Sequence, residues 1–250
     1  MLKPLVIAFS MYSRIPMPMI DWDEKSMKYA ICFLPFVGAV IGIITYILFV
    51  LFEKLGFGVL LKASMLTAVP LIVTGGIHLD GFIDTCDAIS SHLDRKRRLE
   101  IMADPHVGAF AIIKTAVYMV LSVGFCSEIS IDTVQIVCIG YIISRALSGI
   151  AVITFPKAKD NGLVSDWSRM SDKKISFVVL SVELVIALIL MFILNFKITI
   201  IIIIVSTFTF LYHYRNCMKN FGGITGDLAG YFLQLEELFI LAAAVFGGKI

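Results

Sequence analysis

Residues 30–52, AICFLPFVGAVIGIITYILFVLF, contain no charged side chain over their whole length. A helix needs about 20 mostly apolar residues to cross the hydrocarbon core of a bilayer. The run is long enough, and it is flanked on both sides by charged residues. It therefore predicts a membrane-spanning helix, and the rest of the chain can be compared with it.

The composition indicates that this run is one of several. Of the 250 residues, 59% are hydrophobic and 16% are charged, whereas globular domains average about 45–50% and about 25%. A mean hydropathy of +0.93 is too high for one anchor to produce in a chain of this length. These values exclude a soluble enzyme with a single tether, a disordered protein and a nucleic-acid binder. They favour a polytopic membrane protein.

Six further segments are apolar enough to be spans, although several carry one or two charges. The predicted spans are residues 30–52, 55–76, 107–127, 133–155, 175–194, 198–214 and 228–246. Segments 55–76 and 228–246 are alternatively partial or re-entrant helices, which gives six spans instead of seven. No repeat or linker divides the chain, so we expect an all-α membrane protein with one domain over residues 1–250.

The distribution of basic residues predicts the orientation. If the N-terminus is cytoplasmic and all seven segments span, the cytoplasmic pieces are residues 1–29, 77–106, 156–174 and 215–227. They contain 15 of the 21 Lys and Arg residues. Because basic residues are enriched in cytoplasmic loops, we expect every long polar loop on the cytoplasmic side of the cell membrane.

The densest polar stretch is GGIHLDGFIDTCDAISS, residues 75–91. Asp80, Asp84 and Asp87 are spaced i, i+4, i+7 and would share one face of a helix. Stacked carboxylates repel one another, and a divalent cation would relieve the repulsion. Mg²⁺, which prefers hard oxygen ligands, is the expected ion. The alternative is a solvated acidic helix start.

A basic stretch follows in residues 94–108, DRKRRLEIMADPHVG. Basic side chains facing a metal-bound diphosphate would neutralise its oxygens. Residues 95–97 are explained as well by contact with anionic lipid headgroups. Arg98, Asp104 and His106 stand among apolar residues, and we take them as candidates for substrate contact.

The third polar cluster is FGGITGDLAGYFLQLEE, residues 221–237, at the start of an apolar helix. Backbone N–H groups around Gly222, Gly223 and Thr225 could bind phosphate at the helix N-terminus. Glu237 lies a few turns into the helix, where a carboxylate costs about 2.5–3.5 kcal/mol, so a function is expected for it. The alternative is a Thr/Asp helix cap with one Glu satisfied between helices.

Two isolated arginines complete the set of candidates. Arg145 lies inside the predicted span 133–155 and needs an anionic partner, which is equally a salt bridge within the membrane or a substrate. Arg14 stands beside the rigid turn of Pro16 and Pro18. It is expected to contact either a ligand or lipid headgroups.

The sequence resembles the cobalamin synthase family, the adenosylcobinamide-GDP ribazoletransferases. Four blocks carry the resemblance: SRIPMP at 13–18, GGIHLDGFIDTCDA at 75–88, LEIMADPHVGAF at 99–110, and GGITGDLAG at 222–230 followed by Glu237. The blocks occur in the family's order and extend over most of the chain. The second and fourth blocks together are specific.

The resemblance implies a late step of vitamin B12 assembly at the cytoplasmic membrane. A hydroxyl of α-ribazole, or of its 5′-phosphate, attacks the cobinamide-bound phosphorus of adenosylcobinamide-GDP, and GMP leaves. Assembly into a homo-oligomer stays open. For this reaction we expect Mg²⁺ to be bound by Asp80, Asp84, Asp87 and Asp227 and the base to be His78 or Glu237. We expect contacts with substrate or phosphate from Arg14, Arg98, Asp104, His106, Arg145, Gly222, Gly223 and Thr225.

Two other functions compete with this one. A CDP-alcohol phosphotransferase of phospholipid synthesis uses the same chemistry, but its signature has Ala-Arg shortly after Asp-Gly. Here Phe-Ile-Asp follows Asp80 and Gly81. A transporter would place ionisable residues at mid-bilayer in two inverted halves, whereas most carboxylates of this chain lie in loops on one predicted side.

Overall fold

The computed structural model describes residues 2–159 and 171–249, which form helices with no β-strand among them. The predicted all-α class is confirmed. In chain order the α-helices are α1 (Leu2–Tyr12), α2 (Glu24–Met27), α3 (Leu34–Lys54), α4 (Val59–Thr74), α5 (Ile77–Ser90), α6 (Arg95–Ile101), α7 (Ala109–Ser127), α8 (Ile131–Thr154), α9 (Lys173–Leu194), α10 (Phe196–Asn216) and α11 (Gly226–Gly247). A 3-10 turn, Ala30–Phe33, precedes α3, and a π-helical turn, Cys217–Phe221, follows α10.

Among residues 2–159 and 171–249, six helical segments are long and apolar enough to cross a membrane. They are α3 with its preceding turn, α7, α8, α9, α10 with its following turn, and α11. They correspond to six of the predicted spans, so the polytopic fold is confirmed. Helix α11, for which a partial helix was the alternative, is continuous over 22 residues.

The predicted span 55–76 has a different form. Helix α4 has 16 residues, and after Gly75 and Gly76 the chain bends by 95° into α5. Both glycines have positive φ, 65° and 80°, which residues with a Cβ rarely adopt. We treat α4 as a short seventh span, about 24 Å long at 1.5 Å per residue. Helix α5 then lies outside the membrane-spanning segments.

Helices α8 and α11 form the centre of the bundle, and most of their side chains are buried. Helices α3 and α9 pack against α8, while α5 and α10 pack against α11. The apolar side chains of α9 are largely exposed, including Val178, Val182 and Val185. A helix that is apolar on its outer face as well is expected where lipid surrounds it.

The polar connections meet at one end of the bundle. The contacts that join them there are Lys28 with Asp172, Arg95 with Lys219, Arg98 with Asn220, and Pro156 with Ile224. The opposite end carries the ion pair between Glu128 and Lys249. For the described parts of these connections, the structure agrees with the predicted gathering of the long polar loops on one side, and residues 160–170 of the loop 156–174 lie outside the described residues.

Candidate active site

Three carboxylates lie on α5, as their spacing predicted. Asp80 is exposed, and Asp84 and Asp87 are half-buried. Asp87 Oδ2 accepts a hydrogen bond of 3.1 Å from the N–H of Gly108, the residue before α7. Asp87 therefore anchors the start of α7 as well as adding charge to this helix face.

Two glycines bring α5 against the first turns of α11. A Cβ on Gly81 would lie 2.7 Å from the carbonyl oxygen of Asp227, and one on Gly230 would lie 3.0 Å from that of His78. The two backbones are therefore in direct contact, with no side chain between them at these points. The crossing adds Asp227 to the carboxylates of α5, and we call these four aspartates the acidic cluster.

The members of the acidic cluster repel one another. The pKa of Asp84 is raised to about 6, first because burial disfavours its charged form and then because Asp80, Asp227 and Asp87 are near. Within residues 2–159 and 171–249, none of the four forms an ion pair with Lys or Arg. The cluster thus has an excess of negative charge that a cation would balance.

The carboxylates of the acidic cluster do not form a closed cage for a metal ion. In the described part of the chain, no three His, Cys, Asp or Glu side chains converge closely enough to hold one ion. Mg²⁺ usually keeps several waters and binds through one or two carboxylates and substrate phosphates. Asp80 and Asp227 line the same cleft and are the best placed for such binding.

Two clefts open beside Asp80. The arginine cleft has a volume of about 540 Å³ and is lined by Ser13, Arg14, Gly75, Gly76 and Asp80, among others. The amphipathic cleft has a volume of about 560 Å³, and its polar lining includes His78, Asp80, Ser148, Lys159, Thr225 and Asp227. Because Asp80 lines both, the two clefts meet at the acidic cluster.

Arg14 is held against the break between α4 and α5. The backbone N–H of Arg14 donates to the carbonyl oxygen of Val73 at 2.7 Å. A Cβ on Gly75 would lie 2.4 Å from the Nε atom of the Arg14 side chain. Gly75 is therefore needed for its positive φ and for the room beside Arg14. Arg14 is exposed in the arginine cleft, a position that suits contact with an anionic ligand.

His78 is the candidate base that lines the amphipathic cleft. It is buried, its ring stacks on Tyr12 with 6.0 Å between centroids, and no hydrogen bond to Nε2 is found among the described residues. Burial and then the charge of Arg145 lower the pKa of His78 to about 3, so the ring is neutral at pH 7. Its geometry allows it to receive a substrate hydroxyl, although the low pKa makes it a weak base.

Glu237, the other candidate base, forms an ion pair with Arg145 inside the bundle. Arg145 Nη1 lies 2.5 Å from Glu237 Oε1, and both side chains are almost fully buried. Arg145 also donates to the carbonyl oxygen of Tyr141 at 3.0 Å. Neither partner lines the arginine cleft or the amphipathic cleft. The structure favours the salt-bridge alternative for Arg145.

The glycines of the loop before α11 are used mainly for packing. Gly222 has a φ of 78°, and a Cβ on Gly223 would lie 2.4 Å from the backbone of Lys157. Thr225 caps α11 with its side chain and lines the amphipathic cleft. Of the three residues predicted to bind phosphate, Thr225 therefore lines the amphipathic cleft, and Gly222 and Gly223 line neither cleft.

Three further candidates lie outside both clefts. Arg98 Nη1 donates to Asn220 Oδ1 at 2.6 Å and so joins α6 to the π-helical turn. Asp104 Oδ1 lies 2.7 Å from His106 Nδ1, and both residues are exposed. Asp104 and His106 border a separate depression beside Asp87, so they approach the acidic cluster only from that side.

The amphipathic cleft also contains residues that the sequence does not single out, namely Tyr12, Trp22 and Lys159. Lys159 is close enough to Asp227 to act on it electrostatically. Its only signal in the sequence is its place in a basic loop. Tyr12 and Trp22 have no signal, because folding alone brings the N-terminal region to α5 and α11.

Comparison with known proteins shows similarity over nearly the whole chain. Residues 4–245 match the family model described as cobalamin-5-phosphate synthase. A protein of Lachnoclostridium phytofermentans named adenosylcobinamide-GDP ribazoletransferase is 44% identical, over 98% of this chain and 94% of its own length. Proteins of that name from Clostridium perfringens strain SM101 and Treponema denticola are 32% and 33% identical, over 94% and 98% of both chains compared. No solved structure matches the chain.

Proposed function

The chain belongs to the cobalamin-5-phosphate synthase family, and from this premise we propose that it is a ribazoletransferase of cobalamin biosynthesis. It joins α-ribazole, or α-ribazole 5′-phosphate, to adenosylcobinamide-GDP and releases GMP. The product is adenosylcobalamin or its 5′-phosphate. The names of the relatives support this reaction, and none of those compared above is named as a phospholipid-synthesising enzyme or a transporter.

One observation carries the chemistry: the acidic cluster lies where two clefts meet, and no Lys or Arg of the described residues is ion-paired with it. Splitting a diphosphate requires compensation of the charge that develops on its oxygens. Mg²⁺ bound by Asp80 and Asp227, with Asp84 and Asp87 beside them, would supply it. The cluster thus supports a magnesium-dependent transferase.

In the proposed reaction, a hydroxyl oxygen of α-ribazole forms a bond to the phosphorus carried by cobinamide. The bond from that phosphorus to the bridging oxygen breaks, and GMP leaves with this oxygen. Arg14 holds nonbridging phosphate oxygens in the arginine cleft. The hydroxyl proton passes to His78 or Glu237, and of the two only His78 lines a cleft with Asp80 and Asp227.

We propose that the protein lies in the cell membrane with the acidic cluster at the cytoplasmic face. The polar connections meet at the end of the bundle that carries this cluster, and the sequence places 15 of the 21 Lys and Arg residues in the corresponding segments. The positive-inside rule then assigns that end to the cytoplasm.

The reaction can be tested with the purified protein in lipid nanodiscs. Adenosylcobinamide-GDP, α-ribazole and Mg²⁺ are supplied, and GMP and adenosylcobalamin are measured by liquid chromatography and mass spectrometry. A parallel sample receives CDP-diacylglycerol and glycerol 3-phosphate. We expect GMP release in the first sample and no CMP in the second. CMP release without GMP release would replace the proposal by phospholipid synthesis. Full turnover in excess EDTA would show that the reaction does not need Mg²⁺, and the proposal of a transferase would stand without the metal.

A further inference from the structure

The two clefts beside Asp80 differ in the chemistry of their walls. The arginine cleft has a cation, Arg14, next to the backbone of Gly75 and Gly76. The lining of the amphipathic cleft is partly polar, with Asp80 and Asp227 among its residues, and partly apolar. The apolar part of the lining, which we call the apolar wall, includes Met11, Ile31, Leu34, Val152 and Ala229.

Aromatic rings also line the amphipathic cleft. Trp22 lines it and is 50% exposed, so its ring is available for contact. Tyr12 and His78 lie against each other there at an interplanar angle of 17°. Rings of this kind contact the faces of planar bases, whatever the identity of the base. The cleft therefore fits a flat aromatic group.

Two aromatic nucleosides take part in the proposed reaction, and their edges differ. Guanine presents N–H, amino and carbonyl groups, which need hydrogen-bond partners when they leave water. The dimethylbenzimidazole of α-ribazole presents two methyl groups. Ile31, Leu34 and Val152 offer no partner through their side chains, so the apolar wall matches the second base and not the first.

The size of the amphipathic cleft agrees with this choice. Its volume of about 560 Å³ lies within the range of about 300–1,000 Å³ typical of sites for drug-sized ligands. A nucleoside is of that size, whereas a corrin macrocycle with its amide side chains is several times larger. A ligand that joins an apolar base to a polar ribose also matches a lining that is partly apolar and partly polar.

We propose that the amphipathic cleft is the α-ribazole site and that the arginine cleft receives the diphosphate of the other substrate. The base lies beside Trp22 and the stacked pair of Tyr12 and His78, against the apolar wall. The ribose hydroxyls point to Asp80 and Asp227, where the phosphorus is attacked. This assignment rests on the proposed function and adds to it a basis for selecting the base.

The first test separates the two substrates kinetically. Trp22→Ala should raise the KM for α-ribazole on the order of tenfold, as expected for loss of one stacking ring, and leave the KM for adenosylcobinamide-GDP within about twofold. Met19→Ala is the matched control, because Met19 belongs to the same loop and is fully exposed. It should change neither value. Arg14→Gln should raise the KM for adenosylcobinamide-GDP instead.

A second test measures binding without turnover. Isothermal titration calorimetry is performed on the protein in nanodiscs with α-ribazole, with the riboside of unmethylated benzimidazole, and with guanosine. We expect the methyl groups together to improve the affinity roughly tenfold, and we expect guanosine to bind more weakly than either riboside.

These tests fail separately from the proposed function. If the wild-type protein releases GMP with α-ribazole, but Trp22→Ala changes the KM of adenosylcobinamide-GDP or of neither substrate, the site assignment is wrong and the function stands. Equal affinity for guanosine and α-ribazole would also overturn the assignment. If the protein binds α-ribazole in a way that depends on Trp22 but has no transferase activity, the assignment of the site stands and the proposed function is wrong.

Discussion

Asp84 is a carboxyl group that the fold holds at an electrostatic cost. The pKa of Asp84 is raised to about 6, first because the side chain is half-buried and then because three other carboxylates surround it. We expect Asp84→Asn to reduce activity below about a tenth of the wild-type value, because a ligand or neighbour of the proposed metal is lost. The matched control is Glu100→Gln on α6, an exposed carboxylate at the same end of the molecule, which should stay near wild type.

The same substitution should have the opposite effect on stability. The pKa of Asp84 is higher in the folded protein, about 6, than its ordinary value of 3.8. The folded protein therefore favours the protonated, uncharged form of Asp84. The stability that this form provides is fully present below about pH 4 and is lost as the pH rises through 6, because Asp84 then becomes charged. In EDTA, Asp84→Asn should match the wild-type Tm at pH 4 and exceed it by about 2 °C at pH 7, a small shift because solvent screens a half-exposed group. A lower Tm for the variant at pH 7 would contradict the repulsion.

At the scale of elements, the contact between α5 and α11 determines whether the acidic cluster exists. A Cβ on Gly81 would lie 2.7 Å from backbone oxygen of Asp227, and backbone cannot move aside as a flexible side chain can. Gly81→Ala should separate the helices and lower activity at least about tenfold, with a loss of stability of about 1–3 kcal/mol. Thermal unfolding in detergent and the GMP-release assay measure the two effects.

Gly124→Ala provides the control for this substitution. Gly124 lies on α7, and a Cβ there would meet nothing within 4 Å. Because Ala is the better helix former by about 1 kcal/mol, the variant should be as stable as the wild type or slightly more so. Equal losses in both variants would show that glycine flexibility, and not the helix contact, matters.

Two adjacent glutamates of α11 have different surroundings. Glu237 is ion-paired with Arg145, whereas Glu236 is fully buried beside Ser206 and Thr209 of α10, with no basic partner in the part of the chain that the structure describes. Glu237→Gln should cost about 3 kcal/mol, because a buried guanidinium loses its counter-charge.

Glu236→Gln removes a carboxyl group of nearly the same shape and should be neutral or stabilising. The comparison is made by denaturant unfolding in mixed micelles. If Glu236→Gln is the more damaging of the two, the pairing of Arg145 with Glu237 is not the dominant interaction of α11.

At the scale of the whole molecule, the proposed orientation with seven spans predicts that the two chain ends lie on opposite faces of the membrane. A cysteine at Lys96, in exposed α6, should react with a membrane-impermeant maleimide only after the cells are permeabilised. A cysteine at Lys249 should react in intact cells. Both positions are exposed, so lack of labelling would not follow from burial. The reverse pattern would invert the proposed orientation.

Most of the fold could be predicted, because apolar length is a local property. The six long spans agree with their predicted segments within a few residues, except that α10 continues into the turn Cys217–Phe221. The segment 55–76 shows the limit. Its composition indicates an apolar helix, but the direction in which the chain leaves Gly75 and Gly76 depends on their two φ angles and on the packing of Arg14.

The candidate site was predicted in part. Asp80, Asp84 and Asp87 share one helix face as their spacing required. The structure places five other candidates away from the two clefts, namely Gly222, Gly223, Arg98, Asp104 and His106. The binding roles assigned to them stay predictions. The alternative for Arg145, a salt bridge or a substrate, could not be resolved from the sequence because its partner is on another helix.

By itself, the sequence determined the membrane character, the acidic face of α5 and the order of motifs that marks the family. Each of these is contained within one segment or in the order of segments. The tertiary structure alone decided that Asp227 joins α5, that Glu237 pairs with Arg145, and that Trp22 lines the amphipathic cleft. These outcomes depend on how closely helices that are far apart in the chain approach each other. The sequence of one helix does not tell which other helix its backbone will contact.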